Sequence, residues 1–387
     1  RYIYFVFLLC CAVNLLLTSC VRQKYVVMDM VHHNPGEAMT ESKFLDPSFL
    51  KKNEYGAKVF FLFEAAQFGI DWKSFDPSLF PDTTEAGRWV AEKAEIIHKK
   101  YDAAKKEDLQ VYCMLDMLVL PSLLVEKHRT ELTNEQGKLD ISKPYTQLCI
   151  RELMKEMFET FPQLDGLVIR TGETYLHDAP YYVGNHPVQN GMYDHITLIN
   201  LLREEVCERR NKKLFYRTWD MGQLHSIPKY YLSVTDSIEP HPNLYFSIKH
   251  TMTDFWRSAI TDSDMNYNTM DKYWLEESGQ YGVPFNPCIG IGKHQQVVEV
   301  QCQREYEGKG AIDGFEEFKK SNIKKPYCLN QVKDNPLFKG VWTWSRGGGW
   351  GGPYIKNEFW IELNAYVISH WASNPLKTEK EILYDFV

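Results

Sequence analysis

The chain contains no C-x-x-C pair, although nine of its 387 residues are cysteine, so the usual spacing signal for a dithiol redox motif or a structural metal site is missing. Its tandem glycines, Gly347, Gly348, Gly349, Gly351 and Gly352, have no lysine after them, which excludes a P-loop and the nucleotide site that would come with it. Positive charge is not in excess either. With 44 Lys and Arg against 51 Asp and Glu the net charge is -7, and nucleic acid is not expected as a partner. The pair His32-His33 has no second ligand cluster at fitting spacing, so no metal and no other cofactor is expected.

What is present begins with an apolar stretch from Tyr2 to Leu17, followed by Thr18-Ser19-Cys20. Leu17 to Cys20 resembles the lipobox of bacterial lipoproteins, in which the chain is cut before the cysteine and lipid is attached to it. The expectation is a signal peptide over residues 1–19, lipid on Cys20 and a single catalytic domain over 20–387. The protein would then be held at the bacterial cell envelope and meet the membrane only through its lipid anchor. A single membrane-spanning anchor is the alternative, for which the stretch is short. Of the other cysteines, Cys113 and Cys302 fall in expected strands and Cys149 and Cys207 in expected helices, as buried free thiols would.

Eight segments start apolar and end polar: Tyr25 to Asn34, Ala57 to Gln67, Leu109 to Met117, Leu164 to Tyr175, Lys213 to Asp220, Leu244 to Thr251, Val297 to Glu305 and Gly340 to Arg346. Helical spacing of apolar residues appears between several of them, over Thr84 to Lys106, Pro144 to Phe161 and Tyr193 to Arg210, with a final helix over Glu358 to Ala372. Eight strands alternating with helices predict a (β/α)8 barrel, in which catalytic groups sit at the carboxyl ends of the strands.

Three carboxylates stand at or just beyond such ends: Glu173 near the end of the fourth run, Asp254 after the sixth and Glu305 closing the seventh. Glycoside hydrolysis needs a protonated carboxylic acid at the leaving oxygen and a carboxylate across the sugar ring. Each carboxylate also has a structural reading: Glu173 paired with Arg170 or Arg217, Asp254 capping a helix near Phe255. In the seventh run Glu299, Gln301, Gln303 and Glu305 share one face and Val298, Val300 and Cys302 the other, which turns the polar face into the barrel. Tryptophans at expected strand ends, among them Trp72, Trp219, Trp256, Trp344 and Trp350, suit the C–H faces of sugars, whereas Trp342 and Trp360 read as core. His33, Glu64 and Asp116 are candidates for sugar hydroxyls, as is Asp220 after the fifth run, and Trp344 and Arg346 are candidates to line the pocket.

At these residues the chain resembles glycoside hydrolase family 67, the α-glucuronidases. Gly172-Glu173 matches the end of the family's acid segment, Lys249 to Phe255 one base segment, and Glu299-Val300-Gln301-Cys302-Gln303-Arg304-Glu305-Tyr306 the other. The resemblance runs from about Val59 to Pro375. It implies an inverting hydrolase acting on poly- or oligosaccharides, with Glu173 as acid and Asp254 and Glu305 activating the water. It further implies that Lys249 and Arg217 bind the sugar's carboxylate. Ile169 stands where the family has another lysine, beside Arg170, and the glycine- and tryptophan-rich Trp342 to Tyr354 has no counterpart in the family. A retaining glycosidase on a neutral glycan, or a surface lipoprotein that binds glycan without cleaving it, are the alternatives.

Overall fold

All eight expected strands are present in the computed structural model, which describes residues 25–31, 42–61, 64–176, 178–220, 222–251, 286–302, 329–346 and 358–387. They are β1 (Val26–Val31), β2 (Ala57–Phe61), β3 (Gln110–Asp116), β5 (Leu164–Arg170), β7 (Lys213–Arg217), β8 (Leu244–Lys249), β9 (Gln295–Gln301) and β10 (Phe338–Arg346). Two short strands, β4 (Val119–Pro121) and β6 (Tyr182–Gly184), form an antiparallel pair outside the wall. The eight longer strands close in the order β1-β10-β9-β8-β7-β5-β3-β2, every neighbour parallel. This is the (β/α)8 barrel that the pattern predicts.

Strand period sorts the side chains into two cores. Met28, Met30, Val59, Tyr112, Met114, Val168, Phe215, Tyr245, Val297 and Trp342 fill the interior. Their chain neighbours, such as Leu115, Leu167, Ile169, Tyr216, Val298 and Val300, join the larger core between wall and helices. Of the polar face expected in the seventh run, Glu299 and Gln301 point inward and are fully buried, and Gln303 and Glu305 lie outside the described residues.

Helix α1 (Glu85–Lys106) starts at Thr84, whose hydroxyl accepts from Gly87 N, and lays Val90, Ile97, Tyr101 and Ala104 on the wall. Helix α2 (Pro144–Thr160) opens on a proline, which has no N–H to leave unpaired. The helix expected over Tyr193 to Arg210 is two pieces: α3 (Met192–Leu202) and a π-helical turn, Arg203–Glu208. That turn carries Glu204 and Glu205 to Arg151 of α2, and Arg209 and Arg210 pair with the same carboxylates. Helix α4 (Pro228–Thr235) follows β7, and α5 (Phe359–Ser373) packs beside β10. The last helix, α6 (Glu379–Phe386), opens on a capping box between Thr378 and Glu381.

Cys113, Cys149, Cys207, Cys288 and Cys302 are buried, and burial pushes the Cys113 thiol up to about 12. Trp342 is interior core, as its pattern suggests, but Trp360 is 42% exposed and is not. It lies in the first turn of α5, where its side chain faces away from the wall. Among the described residues no helix is long and apolar enough to cross a membrane. Cys20 and the leader lie outside the described residues, as does Cys328.

Candidate functional site at the carboxyl end of the barrel

The interior changes character along the barrel axis. Toward the carboxyl ends of the strands the inward positions pass from apolar residues to Asp116 on β3, Arg170 on β5, Arg217 on β7, Lys249 on β8, Glu299 and Gln301 on β9 and Trp344 on β10, all buried. Charges this deep require partners.

Arg170 and Asp116 form one such pair. The guanidinium donates Nε and Nη2 to the two Asp116 oxygens at 2.5 and 2.9 Å, and lies between the rings of Phe61 and Tyr175, 4.8 and 4.1 Å from their centroids. Its remaining corner, Nη1, is 3.4 Å from Glu173 Oε2. The Tyr175 hydroxyl is 3.0 Å from that same oxygen, and Tyr175 N donates to Asp116 at 2.9 Å. Burial raises the Tyr175 phenol, which keeps it a donor. Glu173 is thus held through one oxygen while its side chain stays 34% exposed, the most open of these carboxylates. Asp116 offsets the arginine charge, so Glu173 is not its sole counter-ion.

Arg217 and Glu299 form the second pair. Nε and Nη2 of Arg217 donate to Glu299 at 2.9 and 2.8 Å, Ser247 Oγ adds a bond at 2.8 Å, and the guanidinium faces the rings of Trp342 and Trp344 at 5.5 and 4.9 Å. Both side chains are sealed from solvent. Lys249 places its ammonium 3.8 Å above the Trp219 ring and 5.9 Å from Trp344.

The sequence candidates therefore separate. Arg170, Glu173, Asp116, Arg217, Lys249 and Trp344 meet at the mouth, but Asp116 and Arg217 are committed to internal partners rather than held open for hydroxyls or a sugar carboxylate. Arg346 lies 3.5 Å from Glu358 at the start of α5. Glu64 is not turned toward the mouth: it pairs with Lys100 on α1. Trp72 is buried between wall and helices at a positive φ of 57°, away from any sugar. Asp254, Glu305, His33, Trp256 and Trp350 lie outside the described residues, as does the glycine-rich segment. Tyr175 closes the fourth run but was assigned no role; its hydroxyl reaches Glu173 Oε2, two residues back. The Arg217 partnership was hidden because Glu299 lies on a different strand.

Among the described residues no cluster of three or more His, Cys, Asp or Glu is placed to hold a metal ion. A cavity of ≈ 1070 Å³ opens at the other end of the barrel, lined by Tyr25, Glu54, Gln110, Lys213 and Asp334, remote from Glu173.

No family model matches the chain, and no curated protein matches it in sequence. Solved structures similar to it include a GH138 enzyme described as targeting pectin rhamnogalacturonan II, with 13% identity and a TM-score of 0.43 over 94% of this chain and 40% of that one. Dispersin B has 12% identity and a TM-score of 0.46 over 91% of this chain and 98% of that chain. An O-GlcNAc hydrolase of Thermobaculum terrenum has 8% identity and a TM-score of 0.47, over 94% and 62%. The chain spans about two fifths of the first and three fifths of the last.

Proposed function

We propose that the protein is a glycoside hydrolase that removes a uronic acid or related sugar from poly- or oligosaccharides by inversion, in the manner of an α-glucuronidase. The observation that carries this reading is Glu173: a part-open carboxylate at the carboxyl end of β5, anchored through Oε2 by Arg170 and Tyr175. Anchoring one oxygen fixes the direction in which the other meets a glycosidic oxygen. Protonated Glu173 gives its proton to the leaving oxygen as the C–O bond breaks. Asp254 and Glu305 take a proton from the water that attacks the anomeric carbon from the opposite face. Lys249 answers the sugar's carboxylate, with Trp344 and Trp219 around it.

Proton NMR of residues 21–387 with glucuronic-acid-decorated oligosaccharides tests the reading. First appearance of the β-anomer from an α-linked uronic acid is the expected result, and Glu173→Gln abolishes it while binding persists. Release of no sugar sinks the hydrolase.

The commitment of Arg217 to Glu299 favours a second reading of the substrate: a neutral glycan, cleaved with retention or bound without cleavage. Carboxyl groups about 5 to 5.5 Å apart go with retention and about 6.5 to 9.5 Å with inversion. Placement at the bacterial cell envelope through lipid on Cys20 is part of the proposal. Incorporation of a labelled fatty acid, lost in Cys20→Ser, is its test.

A further inference from the structure

The chain enters the barrel on the face opposite the mouth. All eight wall strands run in one direction, so the amino ends of β1, β2, β3, β7 and β10 lie together around the cavity of ≈ 1070 Å³, and Tyr25 lines it with them. Tyr25 is tied in place: its hydroxyl donates to the carbonyl of Lys333 at 2.7 Å, in the turn before β10, and its ring meets Phe338 edge-on at 5.0 Å. Gly56 N donates to Val27 O and Gln110 N to Gly56 O, both at 2.9 Å, which joins the starts of β1, β2 and β3. Lys51, at the end of the short helix Pro47–Lys52, donates to Asp108 Oδ2 at 3.0 Å and bridges two neighbouring turns of the same rim.

Covalent geometry limits how far this entry point can stand from a lipid on Cys20. Residues 21–24 are all that separate Cys20 from Tyr25, and five extended peptide steps reach at most about 18 Å. The mouth is farther away. β10 runs nine residues from Phe338 to Arg346, and at the rise of a strand that is about 25 Å. A chain leading outward across a helix layer about 10 Å thick and then along the wall would need roughly twice the reach available. Tilting the barrel onto its helices uses more than half of it.

The rim has the chemistry of a surface that rests on headgroups. Lys51, Lys213 and Lys333 line it with Glu54 and Asp334, amines that suit lipid phosphates and carboxylates that suit headgroup amines. Leu376 stands on the same rim and is 78% exposed, and an apolar side chain there gains by leaving water for the headgroup layer.

We propose that the amino-terminal face of the barrel, the rim around Tyr25, is a membrane-facing surface that sits on the phospholipid headgroups of the leaflet holding the Cys20 lipid, with the Glu173 mouth turned away from it. The proposal rests on the lipid attachment proposed above. It narrows the substrate: glycan reaches Glu173 from the side away from the anchor, as a chain in solution or on another surface, and sugars carried by lipids of the same leaflet lie out of reach.

The test uses the full chain, purified with its lipid and inserted into preformed vesicles of phosphatidylethanolamine and phosphatidylglycerol. Brief acetylation with acetic anhydride is read lysine by lysine by mass spectrometry, against residues 21–387 free in the same suspension. Lys51, Lys52 and Lys333 report on the rim, Lys73 and Lys138 on the loops that follow β2 and β3 at the mouth, and Lys99 on the outer side of α1. The expected result is acetylation of the rim lysines about fivefold slower on vesicles, as for a face covered roughly four fifths of the time, with Lys73, Lys138 and Lys99 unchanged. Protection of the mouth lysines or of Lys99 equal to that of the rim, or no protection in a chain that carries lipid, overturns the proposal and leaves the anchor standing. A chain that incorporates no labelled fatty acid removes the anchor and this orientation together, while the reading of Glu173 as the acid of a hydrolase is untouched.

Discussion

Glu299 and Asp29 are both sealed inside this barrel protein, one within the wall and one behind it, and they are accommodated by opposite means. Glu299 faces a guanidinium that takes both of its oxygens, with Ser247 adding a third bond. Among the described residues Asp29, on the helix side of β1, has the hydroxyls of Thr343 and Ser345 and one backbone N–H within hydrogen-bond reach, with Lys58 acting from farther away. Burial pushes the Asp29 carboxyl up to about 6 despite those bonds. Glu299 is matched by charge; Asp29 is matched mainly by dipoles, and burial still raises its carboxyl.

The largest way to break this comparison is Glu299→Ala, which leaves Arg217 buried without its counter-ion. Urea unfolding should show a loss of about 3 to 5 kcal/mol. A loss below about 1 kcal/mol would mean that the interior tolerates a lone guanidinium, and the contrast would fail.

Asp29→Asn acts through pH. Because the folded carboxyl is raised from 3.8 to about 6, its contribution to stability is fully present below pH 3.8 and is lost as pH rises through about 6. At pH 8 the ionised group should cost roughly 3 kcal/mol relative to its protonated form. The asparagine variant is therefore expected to flatten the decline between pH 4 and 8. An unchanged slope would show that the hydroxyls serve Asp29 as fully as Arg217 serves Glu299.

Asp116→Asn carries the comparison to the mouth. With Asp116 neutral, the Arg170 charge falls on Glu173, so the optimum of the proposed hydrolysis moves to the acid side by about one pH unit. A pH–rate profile that keeps its optimum would separate Asp116 from the chemistry. The smallest effect belongs outside both layers: Trp360→Ala, at an exposed site, should change stability by no more than about 0.5 kcal/mol.

The barrel was legible in the sequence because each strand carries its own evidence, an apolar run ending in polar residues. Inward and outward faces were legible in β9 for the same local reason. Pairings across the wall were not: Arg217 with Glu299 and Arg170 with Asp116 join strands through space, and no spacing along the chain announces them. Ile169 shows both sides of this, since its neighbour Arg170 turns inward by strand period while its own side chain joins the helix-facing core. The π-helical turn was invisible because its residues continue the helical pattern. Trp360 was misread because aromatic character alone says nothing about which face of α5 it occupies. Glu64 follows β2 but is drawn away from the mouth by Lys100, a partner on another element.

The wall is closed by its first and last strands, and their contact admits no side chain at one point. Gly340, at φ 152°, pairs with Val26, and a Cβ there would lie 2.0 Å from Val26 O. During synthesis β1 leaves the ribosome long before β10, so the cylinder waits as an open curved sheet until β10 is available. Through that interval Arg217 and Lys249 lack Trp344, and Asp29 lacks Thr343 and Ser345. Arrival of one late strand shuts both layers at once, which makes the order of translation part of how this site is dried.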